Sequence, residues 1–153
     1  MTVTIIEKNK AITELLNGSF FSIKNAVPLK NEITKPQLFQ KELRIQFGVL
    51  IGIMGDVSGK MIIAGDSNLF GTIGEAMFGM PVEGEMLSSF SGELGNIIAG
   101  GMATAVAATD IHIDITSPTV LEGDTVLTGY KTAINVTVRF NDAGGLAVYL
   151  LLD

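Results

Sequence analysis

The spacing of apolar residues along this chain changes between two periods. Over residues 10–27 apolar side chains recur every three or four positions, which predicts an amphipathic helix that ends at Pro28. Over residues 43–54 they alternate, which predicts a long strand, and a glycine-bounded turn then leads into a second strand that ends at Ala64. The same patterns predict the remaining elements: a helix from Ser67, its N-cap, to Phe78, a helix over about 87–109, and strands over 111–115, about 127–140 and 145–152.

This order of elements predicts an α+β fold, with a single antiparallel β-sheet and long helices packed on one face. With 153 residues the chain is long enough for one domain with a sizeable core, and residues 1–153 are assigned to it. Residues 28–41 are polar, contain Pro36 and are predicted to form a loop. A long apolar strand at a sheet edge tends to pair with another chain, and residues 146–152 are the candidate for such an edge.

The third predicted helix carries polar residues among unusually small ones. On a helical wheel one arc away from the core holds Ser89, Glu93, Asn96 and Gly100, with Gly92 at its side. The predicted core face on the other arc consists of Phe90, Leu94, Ile97, Ile98, Gly101 and Ala105. Each glycine inside a helix costs roughly 1 kcal/mol relative to alanine, so we expect close packing or the close approach of a partner here.

The composition argues against several classes of protein. The net charge is −6 and the cations form no basic run, which disfavours binding to nucleic acid. One histidine and no cysteine leave none of the usual zinc sites, and no metal site is expected. Because the chain has neither an apolar run of about 18 residues nor a signal peptide, we expect a cytoplasmic protein that does not insert into a membrane. An apolar fraction of 47% indicates spare apolar surface and hence self-association.

The polar arc of the third helix has a spacing that is known from a protein family. Ser89, Glu93 and Asn96 are followed by Pro118. A serine or aspartate, three residues, a glutamate, two residues, an asparagine and a later proline form the motif of the CheC/CheX/FliY phosphatase family of bacterial chemotaxis, which this chain resembles. Pro118 comes about one residue earlier than in that motif. In length and order of elements the chain is most similar to CheX, over nearly its whole length.

The resemblance implies a phosphatase whose substrate is the aspartyl phosphate of a CheY-like response regulator. It gives Asn96 the role of positioning the attacking water and Glu93 that of pairing with the regulator's lysine. Ser89, Gly92 and Gly100 are then expected to contact the regulator. Mg²⁺ is supplied in the regulator's active site, so no cofactor of this protein's own is expected. The family also implies a homodimer joined at edge strands. CheC proteins can be stimulated by a CheD partner, whereas CheX-like chains are thought to act alone.

Two other functions stay open at this point. One is a non-catalytic CheX-fold module that binds response regulators or pairs with itself, and the other is a metal-dependent enzyme acting on a small molecule. Glu14 and Asn17 repeat the glutamate–asparagine spacing in the first helix, where Lys10 stands in place of the Asp or Ser. Ordinary helix surface is favoured there over a second active site.

Some further residues have simpler interpretations. Residues 55–60 resemble a phosphate-binding loop, but they lack one residue between the glycines, Met61 replaces the hydroxyl residue, and the segment lies in a predicted hairpin. His112 is expected on the polar side of its strand, with no nucleophile near it in sequence. Four methionines are expected to fill the core: Met77, Met80, Met86 and Met102.

Overall fold

A computed structural model describes residues 5–39, 42–141 and 143–153. These residues form helices and strands, and the strands belong to one sheet. The helices of these residues are α1 (Ile5–Ala26), α2 (Ser67–Phe78) and α3 (Glu85–Ala107). The strands are β1 (Asn31–Ile33), β2 (Gln37–Phe39), β3 (Leu43–Gly55), β4 (Gly59–Ala64), β5 (Ile113–Ile115), β6 (Thr119–Leu127), β7 (Thr132–Phe140) and β8 (Gly144–Leu152).

The strands form one curled antiparallel sheet, so the predicted α+β fold with helices on a single sheet is confirmed. Its order is β1-β7-β8-β4-β3-β5, with β2 also paired to β7 and β6 also paired to β3. The long hairpins β3–β4 and β7–β8 build its centre, where β4 and β8 lie side by side. All three helices contribute buried residues to one core with the inner face of the sheet.

The prediction that residues 146–152 form an edge strand is wrong. They belong to β8, which pairs with β7 on one side and with β4 on the other. Leu146, Val148 and Leu150 are fully buried under the helices, and Leu151, which points to the other face, is buried as well. A strand that is covered on both faces reads as a continuous apolar run, which is the pattern of a central strand.

The outer face of the sheet also carries a small hydrophobic cluster. Ile62 alternates with two core residues of β4 and therefore points away from the helices, yet it is fully buried. It packs with neighbours that include Leu43, Ile45 and Leu151, and Leu121 of β6 adds partial cover. The curl of the sheet thus buries apolar side chains on its outer face too.

Several predicted boundaries differ from those observed. The predicted loop over residues 28–41 contains the short strands β1 and β2, while its residues 40 and 41 lie outside the described part of the chain. The strand predicted over about 127–140 is β7 alone, and β6 was missed before it. The N-cap of α2 is Asp66 instead of Ser67, because the Asp66 carboxylate accepts a hydrogen bond of 2.8 Å from the Asn68 amide.

Candidate active site

The predicted polar site residues lie on the outer face of α3. Glu93 and Asn96 are exposed, and Ser89 is exposed one turn before them. A separation of three residues places the Glu93 and Asn96 side chains about 60° apart around the helix and about 4.5 Å apart along it. Leu94 and Ile98 are fully buried on the inner side and fix the helix on the sheet. The carboxylate and the carboxamide therefore share one solvent-facing patch on a well-packed helix.

The core face of α3 is rotated from the predicted one. Ile97, which was expected in the core, is 38% exposed, whereas Ala99 and Met102 are fully buried. Ile97 lines an open groove of about 380 Å³ between α1 and α3, together with Phe21. The exposed patch that holds Asn96 therefore has an apolar residue at its border.

Two glycines of α3 are required by packing inside the protein. A Cβ atom on Gly95 would lie 2.6 Å from Cγ1 of Val49 in β3. A Cβ atom on Gly101 would lie 2.8 Å from Cβ of Ser22 in α1. Both distances are far below a carbon–carbon contact distance of roughly 3.5–4 Å. Glycine at these positions therefore lets α3 lie closer to β3 and to α1 than alanine would.

The other two glycines of α3 have different surroundings. Gly92 is buried, and a Cβ atom there would meet Val120 at 3.5 Å and Pro118 at 3.9 Å, which are ordinary contacts. The motif proline therefore packs beside the turn of α3 that carries Glu93. A Cβ atom on Gly100 would have no neighbour within 4 Å. The expected partner contact fits the open Gly100 better than the covered Gly92, and at both positions it stays a prediction.

A groove of about 460 Å³ opens beside Ser89 and Glu93, between α3 and the end of α2. Its other lining residues are Phe78, Val82, Glu85, Met86 and Phe90. The Phe78 and Phe90 rings meet edge to face with their centroids 5.6 Å apart. The groove therefore has a largely apolar floor and a carboxylate from the candidate site at its rim.

Two of the methionines predicted to fill the core lie instead at this surface. Met80 is 54% exposed and Met86 is 55% exposed, whereas Met102 is fully buried and Met77 is partly buried. Met80 follows Gly79, the left-handed C-cap that ends α2, and Met86 is the second residue of α3. Both therefore lie where α2 is joined to α3, with more than half of each side chain exposed.

The sequence profile of the family described as chemotaxis phosphatase CheX matches residues 47–141, which is more than half of the chain. This stretch contains Glu93, Asn96 and Pro118 together with the elements that hold them. The chain belongs to the CheX family of chemotaxis phosphatases. The predicted family and the predicted class of enzyme, a phosphatase, are thereby confirmed.

Individual CheX relatives agree with this assignment. The CheY-P phosphatase CheX of Thermotoga maritima is 28% identical over 118 residues, covering 74% of this chain and 76% of the relative. The crystal structure of a chemotaxis protein CheX from Desulfovibrio desulfuricans has a TM-score of 0.78 at 14% identity, covering 92% of this chain and 97% of that one. CheX in the CheX-CheY-BeF₃-Mg²⁺ complex from Borrelia burgdorferi has a TM-score of 0.77 at 24% identity, covering 92% and 96%.

The second glutamate–asparagine pair of this CheX-family chain lies on α1 in a position that matches the first. Ser22 packs against Gly101 where the two helices cross. Glu14 and Asn17 precede Ser22 by eight and five residues, the same spacings by which the pair in α3 precedes Gly101. Phe21, which is 62% exposed, takes the place of the open glycine of α3. Because a phenyl ring stands where a partner would have to approach, we keep the prediction of ordinary helix surface for this pair.

The other described residues do not form a second candidate active site or a metal site. No group of three or more histidine, aspartate or glutamate side chains among them is arranged to hold a metal ion. His112 is exposed, with its Nε2 3.2 Å from Oδ1 of Asp110, and residues 55–60 connect β3 to β4 as a hairpin. None of the described helices is long and apolar enough to cross a membrane.

Sequence reasoning missed the groove beside the site, although the sequence contains a signal for it. Between Lys60 and Lys131 the chain has nine acidic residues and no lysine or arginine. This segment includes α2, α3 and their connection, with Met80 and Met86 placed beside glycines, a proline and glutamates. Apolar residues in such a connection do not belong to a periodic apolar face. This indicates that they lie at the surface instead of in the core.

Proposed function

We propose that this protein hydrolyses the aspartyl phosphate of a CheY-like response regulator. The observation that carries the proposal is the exposed pair Glu93 and Asn96 on one face of α3, in a chain of the CheX family. Two relatives support the choice of substrate. The Thermotoga relative is named a CheY-P phosphatase, and the Borrelia relative was solved as a complex with CheY, BeF₃ and Mg²⁺.

The role of Asn96 in this proposal is to position the attacking water molecule. Phosphoryl transfer depends mainly on positioning and electrostatics, with the attacking and leaving oxygens in line. A carboxamide can accept a hydrogen bond from a water molecule and donate one to it, which fixes the water's orientation. Asn96 projects from a rigid helix with the open Gly100 one turn later, so the amide can enter a recessed site on the regulator.

The chemistry asked of Glu93 is the fixing of the inserted helix. Its carboxylate is the partner for the regulator's lysine, and a charge-assisted hydrogen bond between them would set the depth and angle of insertion. The Mg²⁺ ion belongs to the regulator's active site, where it neutralises charge on the phosphoryl group. In this scheme the phosphatase contributes one amide, one carboxylate and a helix surface, and it forms no covalent intermediate.

The test is the decay of a phosphorylated CheY-like regulator from the same organism, in the presence of Mg²⁺, with and without this protein. We expect the parent to accelerate decay, and Asn96→Ala to lose roughly 10²-fold of the acceleration because the water is no longer placed. Glu93→Ala is expected to lose most of the acceleration through poor positioning. Asn17→Ala, in the matching position of α1, is the control and should keep full activity.

Full activity of Asn96→Ala would refute the role given to that residue. A parent protein that binds the regulator's BeF₃-activated form but never accelerates decay would be a non-catalytic CheX-fold binding module. In that case the binding should survive Asn96→Ala, because the amide would have no water to place.

A further inference from the structure

The groove beside the candidate site combines two properties, an apolar floor and an excess of negative charge. Its floor is apolar, and Phe78, Met80 and Met86 around it are 58%, 54% and 55% exposed. Exposed apolar residues that cluster beside a site mark a surface that another molecule covers. Methionine is also a residue that adapts its shape to a partner.

The second property is a one-sided charge. Glu85 and Glu93 line the groove, Glu83 directly follows its lining residue Val82, and Glu75 lies one turn before Phe78. All ten lysines and arginines of the chain lie at or before Lys60 or at or after Lys131. The face formed by α2, α3 and their connection therefore holds no positive side chain of its own.

An acidic face is unexpected on an enzyme whose substrate is a phosphate. Carboxylates repel a free phosphate or a small phosphorylated metabolite, so this face selects against small anionic ligands. It suits a protein partner whose phosphoryl group is already neutralised by its own metal ion and lysine. Such a partner would have to present apolar side chains flanked by lysine or arginine around that site.

We propose that the groove lined by Phe78, Val82, Glu85 and Met86, together with the adjacent exposed Met80, is the docking surface for the phosphorylated regulator, and that it binds an apolar surface rimmed by basic residues. This inference rests on the proposed function. The occupant follows from continuity, because Ser89 and Glu93 line the same groove, and from charge complementarity. The groove supplies affinity and steering, whereas Asn96 supplies the chemistry.

The first test separates binding from catalysis. Binding of the Mg²⁺–BeF₃-activated regulator is titrated with the parent, Met86→Asp and Met80→Asp, and decay of the phosphorylated regulator is followed over a range of phosphatase concentrations. Each variant is expected to weaken binding at least roughly 10-fold, as loss of a central apolar contact does. The decay rate at saturating phosphatase should stay within about twofold of the parent's. Both side chains are more than half exposed, so the fold should survive, as a thermal melt will show.

The matched control is Met54→Asp. Met54 is 50% exposed, and it lies at the end of β3 that pairs with β5, the strand following the C-terminal end of α3. Met86 is at the other end of that helix, roughly 30 Å away along its axis. Unchanged binding in Met54→Asp together with weakened binding in the groove variants supports the docking surface.

The second test concerns the charge. The double variant Glu83→Gln/Glu85→Gln is compared with Glu32→Gln/Asp114→Asn, which neutralises two exposed carboxylates away from the groove. Both change the net charge equally, from −6 to −4 when two negative charges are removed. We expect the groove variant alone to associate roughly threefold or more slowly at low salt, and to lose part of the parent's salt dependence.

The proposal is overturned if the groove variants bind the activated regulator as tightly as the parent does, while the parent still accelerates decay. The proposed function would stand in that case. It is also overturned if both charge variants slow association equally, because only net charge would then matter. A parent that neither accelerates decay nor binds any activated regulator of its organism refutes the proposed function and the docking surface together.

Discussion

The neighbouring glycines Gly100 and Gly101 of α3 have very different surroundings. A Cβ atom on Gly100 would point into open space, whereas one on Gly101 would lie 2.8 Å from Cβ of Ser22. We therefore expect Gly100→Ala to raise the free energy of unfolding by about 0.5–1 kcal/mol, through helix propensity alone. Gly101→Ala is expected to lower it by about 1–3 kcal/mol, because α1 must shift. Urea unfolding of both variants measures the difference.

Each glycine variant serves as the control for the other, since the substitution and the helix are the same. If both variants gained stability, the helix crossing would be loose and the close contact with Ser22 would not be needed. The larger variant Gly100→Phe extends the test to function. It should leave the fold intact and slow the decay of the phosphorylated regulator, because it would copy the obstruction that Phe21 forms on α1.

At the residue scale, the sequence predicted which polar residues are exposed better than which apolar residues are exposed. The helical period placed Glu93 and Asn96 on an outward face, and both are exposed. The same reasoning put Ile97, Met80 and Met86 in the core, because apolar residues are usually buried. That rule fails where a surface is kept apolar for contact with another molecule, and a single sequence does not distinguish the two cases.

At the scale of elements, long amphipathic segments were predictable and short irregular ones were not. The three helices, β3, β4 and the β7–β8 pair follow from clear periods of 3.6 or two. In β6 the alternation is broken, because Gly123 has a φ of 86° and the pairing with β3 shifts register between Ile45 and Phe47. β1 and β2 have three residues each and flank Pro36, so they carry no period at all.

Tyr149, on the outer face of β8, makes the free energy of unfolding fall as the pH rises in the alkaline range. Burial raises the pKa of Tyr149 above its ordinary value of 10.0. The unfolded chain therefore loses this proton at a lower pH than the folded protein. The stability that Tyr149 contributes is fully present below pH 10 and is lost as the pH rises through the higher pKa of the folded state. Tyr149→Phe should show a shallower fall of unfolding free energy between about pH 9 and 11, measured by urea unfolding at each pH. Equal slopes in both proteins would contradict this.

At the scale of the whole molecule, the sheet topology decides where a second copy could pair. The central β8 is unavailable, and the strands at the ends of the sheet are β5 and β6 on one side and β1 and β2 on the other. β6 has nine residues, whereas β1, β2 and β5 have three each. An open edge of that length is a ready template for pairing with another chain. The predicted homodimer is therefore expected to form through β6.

This expectation can be tested with one lysine on each side of the sheet. Val126 on β6 is 46% exposed and Ile33 on β1 is 36% exposed, so either can be replaced without opening the core. A lysine on an edge strand opposes pairing, because two copies would bring the charges together. Val126→Lys should shift the protein from dimer to monomer in analytical ultracentrifugation at micromolar concentration, while Ile33→Lys should remain a dimer. The opposite result would place the interface at β1, and a monomeric parent would show that the homodimer prediction is wrong. Neither residue lines the groove, so both variants should keep the phosphatase activity per chain, which separates assembly from catalysis.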